Sequence, residues 1–231
     1  MTTAILVDGG FYRKRAAHLW GKKTAKARAD ELTAYCLAHL KDKNEERNLY
    51  RIFYYDCPPL EKKLYHPLTK KQVDMGRSET FGWTQAFFDE LKKKRKLALR
   101  LGVLAEIGTG YNLKPEITKK LCAGKIGVED LKENDFDLLV NQKGVDMRIG
   151  IDIASLTYKK QVNQIILIAG DSDFVPAAKM ARREGIDFIL DPMWADIKAD
   201  LFEHIDGLKS NWKKQSNRQG APSIKNKTDD Q

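Results

Sequence analysis

Aspartates that close apolar runs are the residues of this sequence best suited to chemistry. Asp8 ends the run AILVD, Asp56 ends RIFYYD, and Asp171 and Asp173 follow IILIAG. Asp146 precedes a further segment rich in isoleucine. If the runs are parallel strands, their carboxyl ends share the edge of the sheet at which open α/β proteins bind ligands. We therefore expect several of these carboxylates to lie close together.

Carboxylates gathered in this way favour a hard divalent cation. They repel one another and hold protons unless a cation neutralises them. Oxygen-only ligands suit Mg²⁺ or Mn²⁺, and Mg²⁺ commonly keeps several waters and bridges to substrate phosphates. The sequence predicts a Mg²⁺ or Mn²⁺ site at this edge.

Each aspartate also has a simpler structural interpretation. Asp8 stands before a Gly-Gly pair and fits a turn that needs positive φ. Asp146 fits the N-cap of the helix expected after it. Asp56, ahead of a Cys-Pro-Pro sequence, fits a turn better than a metal ligand.

The Asp-Ser-Asp sequence offers more carboxylates than a helix cap needs. Asp171, Ser172 or Asp173 could cap the helix expected from about position 174, and one cap is enough. At least one of the two aspartates is then a candidate ligand.

Three further positions are predicted to support the site rather than form it. Asp152 lies six residues after Asp146, and at about 100° per residue both cannot face one small site. We place Asp152 near the site or at the surface, and assign supporting roles to Asp56 and Ser172.

Apolar runs alternate with segments of helical spacing along the chain. Such alternation predicts a parallel sheet covered on both faces. The expected strands are Ala4–Val7, Leu49–Tyr55, Leu97–Leu104, Ile165–Ala169 and Asp187–Leu190. The expected helices are Ala29–Leu40, Thr80–Leu91 and Phe174–Glu184.

The segment Lys143–Lys160 fits both periodicities. Ile149, Ile151 and Ile153 alternate as in a strand, whereas Ile149, Ile153 and Leu156 form a helical stripe. We favour a helix with Asp146 as its N-cap, because the segment contains good helix formers.

Composition and charge indicate one basic domain that binds polyanions. The chain has 231 residues, with 41 Lys and Arg against 32 Asp and Glu, and a net charge of +9. We expect a domain over residues 1–212 and a disordered basic tail over 213–231. Three unpaired cysteines indicate a reducing compartment, and no run could span a membrane, so a cytoplasmic location is expected.

Four sequence blocks resemble a known family. The blocks are ILVDGGFYRKRA, YYDCPP, KGVDMRIGIDIASL and IILIAGDSDFVPAAKMARREG. They resemble NYN-domain proteins of the LabA-like group, within the PIN-like nuclease superfamily. The resemblance implies a three-layer α/β/α fold with a mostly parallel, Rossmann-like sheet, and a metal-dependent ribonuclease activity. It also implies that Asp8, Asp146, Asp171 and Asp173 hold the metal and form the catalytic site.

The sequence departs from this family in two places. Many relatives read D-G-x-N, whereas Gly10 and Phe11 follow Asp8-Gly9 here, so the amide that could orient substrate or water is absent. The segment from about 60 to 133 is also longer than a minimal PIN-like core requires, and it could shape access to the site.

The expected reaction is hydrolysis of RNA phosphodiester bonds, with single-stranded RNA favoured. Carboxylate-bound cations lower the pKa of a water and stabilise the charge that builds on phosphate. Arg13, Lys14, Arg15 and Lys143 are the candidate RNA-binding cations. The run Lys92–Lys96 fits either RNA binding or a solvated helix end.

Aromatic residues near these cations have two interpretations. Phe11, Tyr12, Phe81 and Trp83 fit either base stacking or core packing. A homo-oligomer is possible on this sequence, but no surface indicates one.

Other function classes fit less well, with one exception. A haloacid-dehalogenase phosphatase needs a second acid two residues after Asp8, and position 10 is glycine; a dinucleotide-binding protein needs G-x-G-x-x-G. The alternative that remains is a non-catalytic module on the same fold that binds RNA or a protein partner.

Overall fold

A computed structural model of the chain describes residues 1–41, 46–105 and 108–212. The strands in these residues are β1 Thr2–Asp8, β2 Asn48–Asp56, β3 Lys63–Tyr65, β4 Gln72–Asp74, β5 Leu97–Leu101, β6 Val103–Leu104, β7 Gly110–Leu113, β8 Phe136–Leu139, β9 Gln142–Lys143, β10 Gln164–Ile168, β11 Asp187–Asp191 and β12 Gly207–Leu208. The helices are α1 Gly9–Trp20, α2 Ala25–Ala38, α3 Glu79–Lys92, α4 Pro115–Cys122, α5 Val145–Tyr158, α6 Val175–Arg183 and α7 Ala199–Glu203. Short 3₁₀ turns occupy Met75–Arg77, Val128–Asp130, Glu133–Asp135 and Ser172–Phe174.

Six parallel strands form the central sheet, in the order β12-β11-β10-β1-β2-β5. The chain first builds outward from β1 through β2 to β5, and later from β10 through β11 to β12. The direction of winding therefore reverses between β1 and β10. Ligands of open parallel sheets bind at such a reversal, beyond the carboxyl ends of the strands.

Helices cover both faces of this sheet, because alternate strand residues point to opposite sides. On one face, Ile5 and Val7 of β1 pack in a core with α1, α2 and α3. On the other face, Ala4 and Leu6 pack in a core with α5, α6 and α7. The predicted three-layer α/β/α fold is confirmed.

All five predicted strands are present, but the run Leu97–Leu104 is divided between two sheets. β5 belongs to the central sheet, whereas β6 pairs with β9. Gly102 stands between them, and a Cβ there would lie 2.6 Å from the carbonyl oxygen of Lys143. The break follows from this close approach of the β9 backbone.

The predicted helix within Lys143–Lys160 is confirmed as α5, but the predicted N-cap is wrong. The N-cap is Gly144, whose φ of 80° lies in the left-handed region that suits glycine. Asp146 is the second helical residue and does not cap the helix. Its carboxylate is therefore left available at the carboxyl edge of the sheet.

Helix α1 begins directly after β1, where a turn was the simpler interpretation of Asp8. A Cβ on Gly9 would lie 2.6 Å from the ring of Tyr54 and from the carbonyl oxygen of Tyr55. Gly9 is thus required by close packing of α1 on β2. Sequence periodicity did not predict this helix.

The long middle segment contributes to the main layers as well as to additions. Helix α3 and strand β5 belong to the three-layer core, while the antiparallel pairs β3-β4 and β7-β8 and helix α4 lie outside it. The predicted tail over 213–231 lies outside the described residues. Among the residues described, no helix is long and apolar enough to cross a membrane.

Candidate active site

Asp8 lies at the carboxyl end of β1 and caps α1. Its Oδ1 accepts a hydrogen bond from the backbone N–H of Phe11 at 3.1 Å. The pKa of Asp8 is raised from 3.8 to about 6, mainly by burial; the N–H of Phe11 opposes the shift, and the negative charges of Asp146 and Asp56 contribute to it. A cation bound beside this carboxyl group would lower its pKa and keep the carboxylate ionised.

Asp146 lies between Asp8 and the Asp-Ser-Asp segment. Its pKa is raised by partial burial and by the negative charges of Asp171 and Asp173, and its own charge acts on Asp8. The four aspartates assigned to the site from the sequence thus share one electrostatic environment. The fold brings them there from β1, from the start of α5 and from the loop after β10.

Asp171 and Asp173 have different local roles. The Oδ1 atom of Asp171 accepts the backbone N–H of Asp173 at 3.2 Å and so caps the 3₁₀ turn at Ser172–Phe174. The carboxylate of Asp173 is exposed and makes no hydrogen bond or ion pair to other described residues. The surplus carboxylate expected from the sequence is therefore Asp173.

Three helices direct their N-termini at this edge. α1 starts directly after Asp8, α5 starts one residue before Asp146, and α6 starts two residues after Asp173. Each N-terminus has unpaired N–H groups and a partial positive charge, which favour a phosphate or carboxylate. Negative side chains and anion-attracting backbone are thus placed together.

The oxygen atoms of the four aspartates are the type of ligand that a hard divalent cation prefers, but the side chains do not form a closed set of ligands around one point. Within residues 1–41, 46–105 and 108–212, no group of three or more His, Cys, Asp or Glu side chains is arranged to hold a metal ion. The four carboxylates nevertheless provide the oxygen ligands that Mg²⁺ and Mn²⁺ prefer. Mg²⁺ usually binds through one or two carboxylates, with waters and substrate phosphates as the other ligands, so an open set is compatible with it.

Phe11 stands where many relatives of the resembled family have an amide. Its ring packs against Gly170, because a Cβ on Gly170 would lie 2.5 Å from the Cε2 atom of Phe11. Gly170 immediately precedes Asp171. An aromatic ring therefore lies beside the residue that precedes Asp171, at the position where an amide could hydrogen-bond to water or substrate.

Lys198 brings a cation to the site that the sequence analysis did not identify. Its Nζ donates to Ser172 Oγ at 3.0 Å, between the two aspartates of the Asp-Ser-Asp segment. Lys198 is distant in sequence and lies in a segment without strong periodicity. Only the parallel pairing of β10 with β11 brings its loop beside Ser172.

Asp56 is buried and bound, rather than part of an open turn. Its Oδ1 accepts from the N–H of Cys57 at 2.8 Å and from Arg13 Nη2 at 3.0 Å, and its Oδ2 accepts from the Tyr54 hydroxyl at 3.2 Å. Burial raises the pKa of Asp56, while Arg13 opposes the shift. Its negative charge contributes to the raised pKa of Asp8, and its carboxylate holds Arg13 in place.

Asp152 and Ser172 also have their partners in place. Asp152 Oδ2 accepts from the Tyr55 hydroxyl at 2.8 Å and from Arg100 Nε at 3.1 Å, which ties α5 to the sheet. Ser172 contacts Lys198. Neither side chain therefore presents a free carboxylate oxygen to the four candidate aspartates. For Asp152, this agrees with the placement that the helical spacing predicted.

The predicted RNA-binding cations differ in availability. Lys14 and Lys143 are exposed, and Arg13 is bound to Asp56. Arg15 donates through Nε and Nη2 to the carbonyl of Met193, at 3.1 and 2.6 Å, so it holds the loop after β11.

The run Lys92–Lys96 fits the solvated helix end better than an RNA-binding patch. Lys92 pairs with Asp89 at 2.8 Å and Lys93 with Glu90 at 2.6 Å, while Lys94 pairs with Asp30. Tyr12 is buried and bonded to Glu31, so it belongs to the core.

The family model for the NYN domain matches residues 84–201, about half of the chain. The match contains Asp146, Asp171 and Asp173, and Asp8 precedes it. A solved structure of a protein of unknown function from Vibrio parahaemolyticus is similar at 13% identity, with 90% of each chain covered and a TM-score of 0.45. No curated protein matches the chain significantly.

Proposed function

Because the chain belongs to the NYN domain family, we propose that it is a divalent-metal-dependent ribonuclease. The observation that carries the proposal is the placement of Asp8 and Asp171 at the ends of adjacent strands at the reversal of the sheet, with the charge of Asp146 acting on Asp8 and the charge of Asp171 acting on Asp146. Membership in the LabA-like group stays a prediction.

The metal ligands would be Asp8, Asp146, Asp171 and Asp173. When bound, Mg²⁺ or Mn²⁺ would lower the pKa of a water and stabilise the charge that develops on the phosphodiester. The raised pKa values of Asp8 and Asp146 support this assignment, because a cation would relieve the repulsion that raises them.

Groups around the carboxylates would position the substrate phosphate. The N-terminal N–H groups of α1, α5 and α6 attract negative charge to the edge of the sheet. Lys198, held at Ser172, and the exposed Lys143 would each contact a phosphate oxygen. The ring of Phe11 would exclude water from the surface of Gly170, beside Asp171.

Single-stranded RNA is the proposed substrate. The net charge of +9 favours a polyanion. Hydrolysis by this chemistry leaves a 5′-phosphate and a 3′-hydroxyl, because water attacks phosphorus and the 3′ oxygen leaves.

A second candidate is a non-catalytic module that binds RNA. Two features favour it: Phe11 stands where the resembled family has an amide, and no group of three or more metal-ligating side chains among the described residues is arranged to hold a metal ion. Such a module would use the same basic surfaces and would not need the carboxylates to bind.

The experiment compares the full chain with Asp171→Asn on a labelled single-stranded RNA, in Mn²⁺, in Mg²⁺ and in EDTA. We expect cleavage that depends on metal, with products that bear 5′-phosphates. The variant should cleave at least about 100-fold more slowly, since single groups that stabilise transition-state charge contribute about 10²–10³ in rate.

A matched control is Asp187→Asn. Asp187 is the first residue of β11 and lies at the amino-terminal edge of the sheet, opposite the edge that carries Asp171. It should cleave like the unmodified chain. Intact RNA in every metal, with RNA binding retained, would favour the non-catalytic module. Equal cleavage by the two variants would remove Asp171 from the site.

A further inference from the structure

Two cavities meet beside the candidate site, on the side of β2. The inner cavity has a volume of about 270 Å³ and lies between the loop after β2 and the start of α3. The outer cavity has a volume of about 310 Å³ and lies between α1, the loop before α2, and α3. Arg13 and Thr80 line both, so the two cavities adjoin at these residues, and we call the pair the Arg13 groove.

Arg13 has a buried donor that no described group satisfies. Its Nη2 binds the buried Asp56 at 3.0 Å, but its Nε is buried without a hydrogen-bond partner among the described residues. Leaving a buried donor unpaired costs free energy, more so for a charged group. An acceptor placed in the groove would satisfy it, and a phosphate oxygen is the acceptor that guanidinium groups bind best.

The outer cavity is strongly basic. Arg13, Lys22, Lys23 and Arg28 line it, with Glu79 as its acidic residue. Lys23 and Arg28 both bind Glu31, which lies behind them. Lys22 is exposed and makes no ion pair within the described residues. In the described part of the chain, Lys22 is thus the cation of this cavity that remains free to bind a polyanion, while Lys23 and Arg28 share the negative charge of Glu31.

Trp83 forms a fixed aromatic wall of the outer cavity. Its indole Nε1 donates to the carbonyl of Lys23 at 2.9 Å, and its ring stacks on Phe87 at 5.1 Å with an interplanar angle of 14°. The ring is half-buried. A ring held in this way can stack on a base or ribose with little loss of conformational freedom.

The inner cavity is mainly apolar and suits a base. Phe81, Leu138 and Val140 contribute apolar surface, and Ser78 and Gln142 contribute hydrogen-bonding groups. Pockets for small ligands usually combine a mostly apolar lining with a few polar groups. The inner cavity therefore complements the basic outer one.

We propose that the Arg13 groove binds consecutive nucleotides of the single-stranded RNA on one side of the scissile bond. A backbone phosphate binds Arg13 and Lys22, one nucleotide lies against Trp83, and the base nearer the carboxylates enters the inner cavity. The inference rests on the proposed RNA substrate. It adds that affinity and substrate length are set by the face of the sheet that holds α1 and α3.

Position supports this assignment. Arg13 is in the second turn of α1, the helix that Asp8 caps, and its partner Asp56 ends β2, the strand next to β1. Adjacent strands lie about 4.8 Å apart. The groove therefore lies beside the strand next to the one that carries Asp8, on the helix that Asp8 caps.

The test measures equilibrium binding of a fluorescein-labelled 12-nucleotide single-stranded RNA. All proteins contain Asp171→Asn, so that no cleavage occurs, and binding is followed by fluorescence anisotropy in EDTA. Lys22→Glu and Trp83→Ala should each weaken binding about 5- to 50-fold, because base stacking and phosphate contacts act on affinity directly. Trp83→Phe should bind within about 3-fold of its parent, because it retains the stacking ring.

Matched controls lie at the opposite edge of the sheet. Lys159 and Tyr158 are exposed at the end of α5, far along that helix from Asp146. Lys159→Glu and Tyr158→Ala should change binding less than about 2-fold. Thermal melts of every variant separate loss of a contact from loss of the fold.

A second readout uses the chain with Asp171 intact. Lys22→Glu and Trp83→Ala should raise KM for a 12-nucleotide substrate and leave kcat within about 3-fold, because their contacts are equal in the ground and transition states. They should have little effect on a dinucleotide, which cannot fill the groove.

The outcomes are distinguishable. If the parent binds and cleaves RNA but groove and control variants behave alike, the groove assignment is wrong and the proposed function stands. If the parent neither binds nor cleaves RNA, both are wrong. If the parent binds without cleaving and only the groove variants lose affinity, the groove is confirmed and the non-catalytic module replaces the nuclease.

Discussion

The ring of Phe11 and the backbone of Gly170 are in direct contact across the ends of β1 and β10. A Cβ added to Gly170 would lie 2.5 Å from Phe11 Cε2 and 3.1 Å from Cδ2. Gly170 also directly precedes Asp171. The aromatic side chain therefore packs between the start of α1, which Asp8 caps, and the segment that leads into Asp171.

This contact predicts strong coupling between the two positions. Gly170→Ala should destabilise the fold by about 1–3 kcal/mol, because the methyl group overlaps the ring. In a Phe11→Ala background the same change should cost much less. Urea unfolding of both single variants and the double variant gives the coupling energy. Additive effects would show that the ring moves aside freely.

The ionised carboxylate of Asp8 should lower the free energy of unfolding at neutral pH, because it is buried. Its pKa in the folded chain is about 6, against an ordinary value of 3.8, so ionisation costs the folded state more than the unfolded one. The cost is fully present above pH 6 and disappears as the pH falls towards 3.8. Asp8→Asn should therefore stabilise the fold at pH 8 by about 1–3 kcal/mol, while it abolishes cleavage.

Asparagine suits this test because it retains the cap on α1. The gain in stability should shrink when melts are repeated between pH 6 and pH 4, without added metal. Asp196→Asn, which changes an exposed aspartate, should give no such trend. A variant that is less stable than its parent at pH 8 would contradict the assigned burial cost.

Much of the fold was predictable because apolar runs and helical stripes dominate the central layers. All five apolar runs form strands. The isoleucine-rich segment forms helix α5, which buries Ile149 and Ile153. Short pairings such as β12, and the start of α1 at Gly9, depend on contacts between distant segments. Those contacts leave no periodic signal in the sequence.

The sequence predicted where some residues of the candidate site lie, but not all of them. The strand ends identified Asp8 and Asp171 because parallel topology alone brings them to one edge. The N-cap of α5 was assigned wrongly because Gly144 takes a left-handed conformation that removes the need for an Asp146 cap. Lys198 could not be found, since its role depends on where a loop returns in space.

Substitution of Asp191 should reduce the stability of the fold strongly without acting directly on RNA cleavage. It is fully buried, and its Oδ2 accepts from the Tyr35 hydroxyl at 2.5 Å and lies 2.8 Å from His39 Nε2. Its Oδ1 accepts from the N–H of Met193 and from the Ser210 hydroxyl, both at 2.7 Å.

Asp191→Asn should destabilise the fold by about 2–4 kcal/mol, because an amide N–H₂ would face donors that now have an acceptor. Chemical denaturation of the variant measures this loss. Asp200→Asn is the control, since Asp200 is exposed on α7. RNA cleavage at low temperature, where the variant is folded, should remain within about 3-fold of normal. Loss of cleavage in a folded variant would place Asp191 in the chemistry.

Lys198 is predicted to act on the substrate and not on the fold. It is exposed, and its described contact is the hydrogen bond to Ser172 between two aspartates. Lys198→Ala should lower kcat/KM for RNA about 10- to 100-fold, since a charge-assisted contact to phosphate contributes about 1.5–3 kcal/mol. Lys198→Arg should recover most of the loss because it retains the charge. Lys159→Ala is the matched lysine at the opposite edge and should leave cleavage unchanged.

The stability of the Lys198 variants decides between the two roles this residue could have. If Lys198 binds phosphate, Lys198→Ala melts within about 1 °C of the parent, because exposed substitutions usually change stability by less than about 0.5 kcal/mol. If its role is to hold Ser172, the melting temperature and cleavage fall together, and Ser172→Ala reproduces both effects. High salt should lower the cleavage of the parent more than that of Lys198→Ala, since the variant has lost one screened phosphate contact.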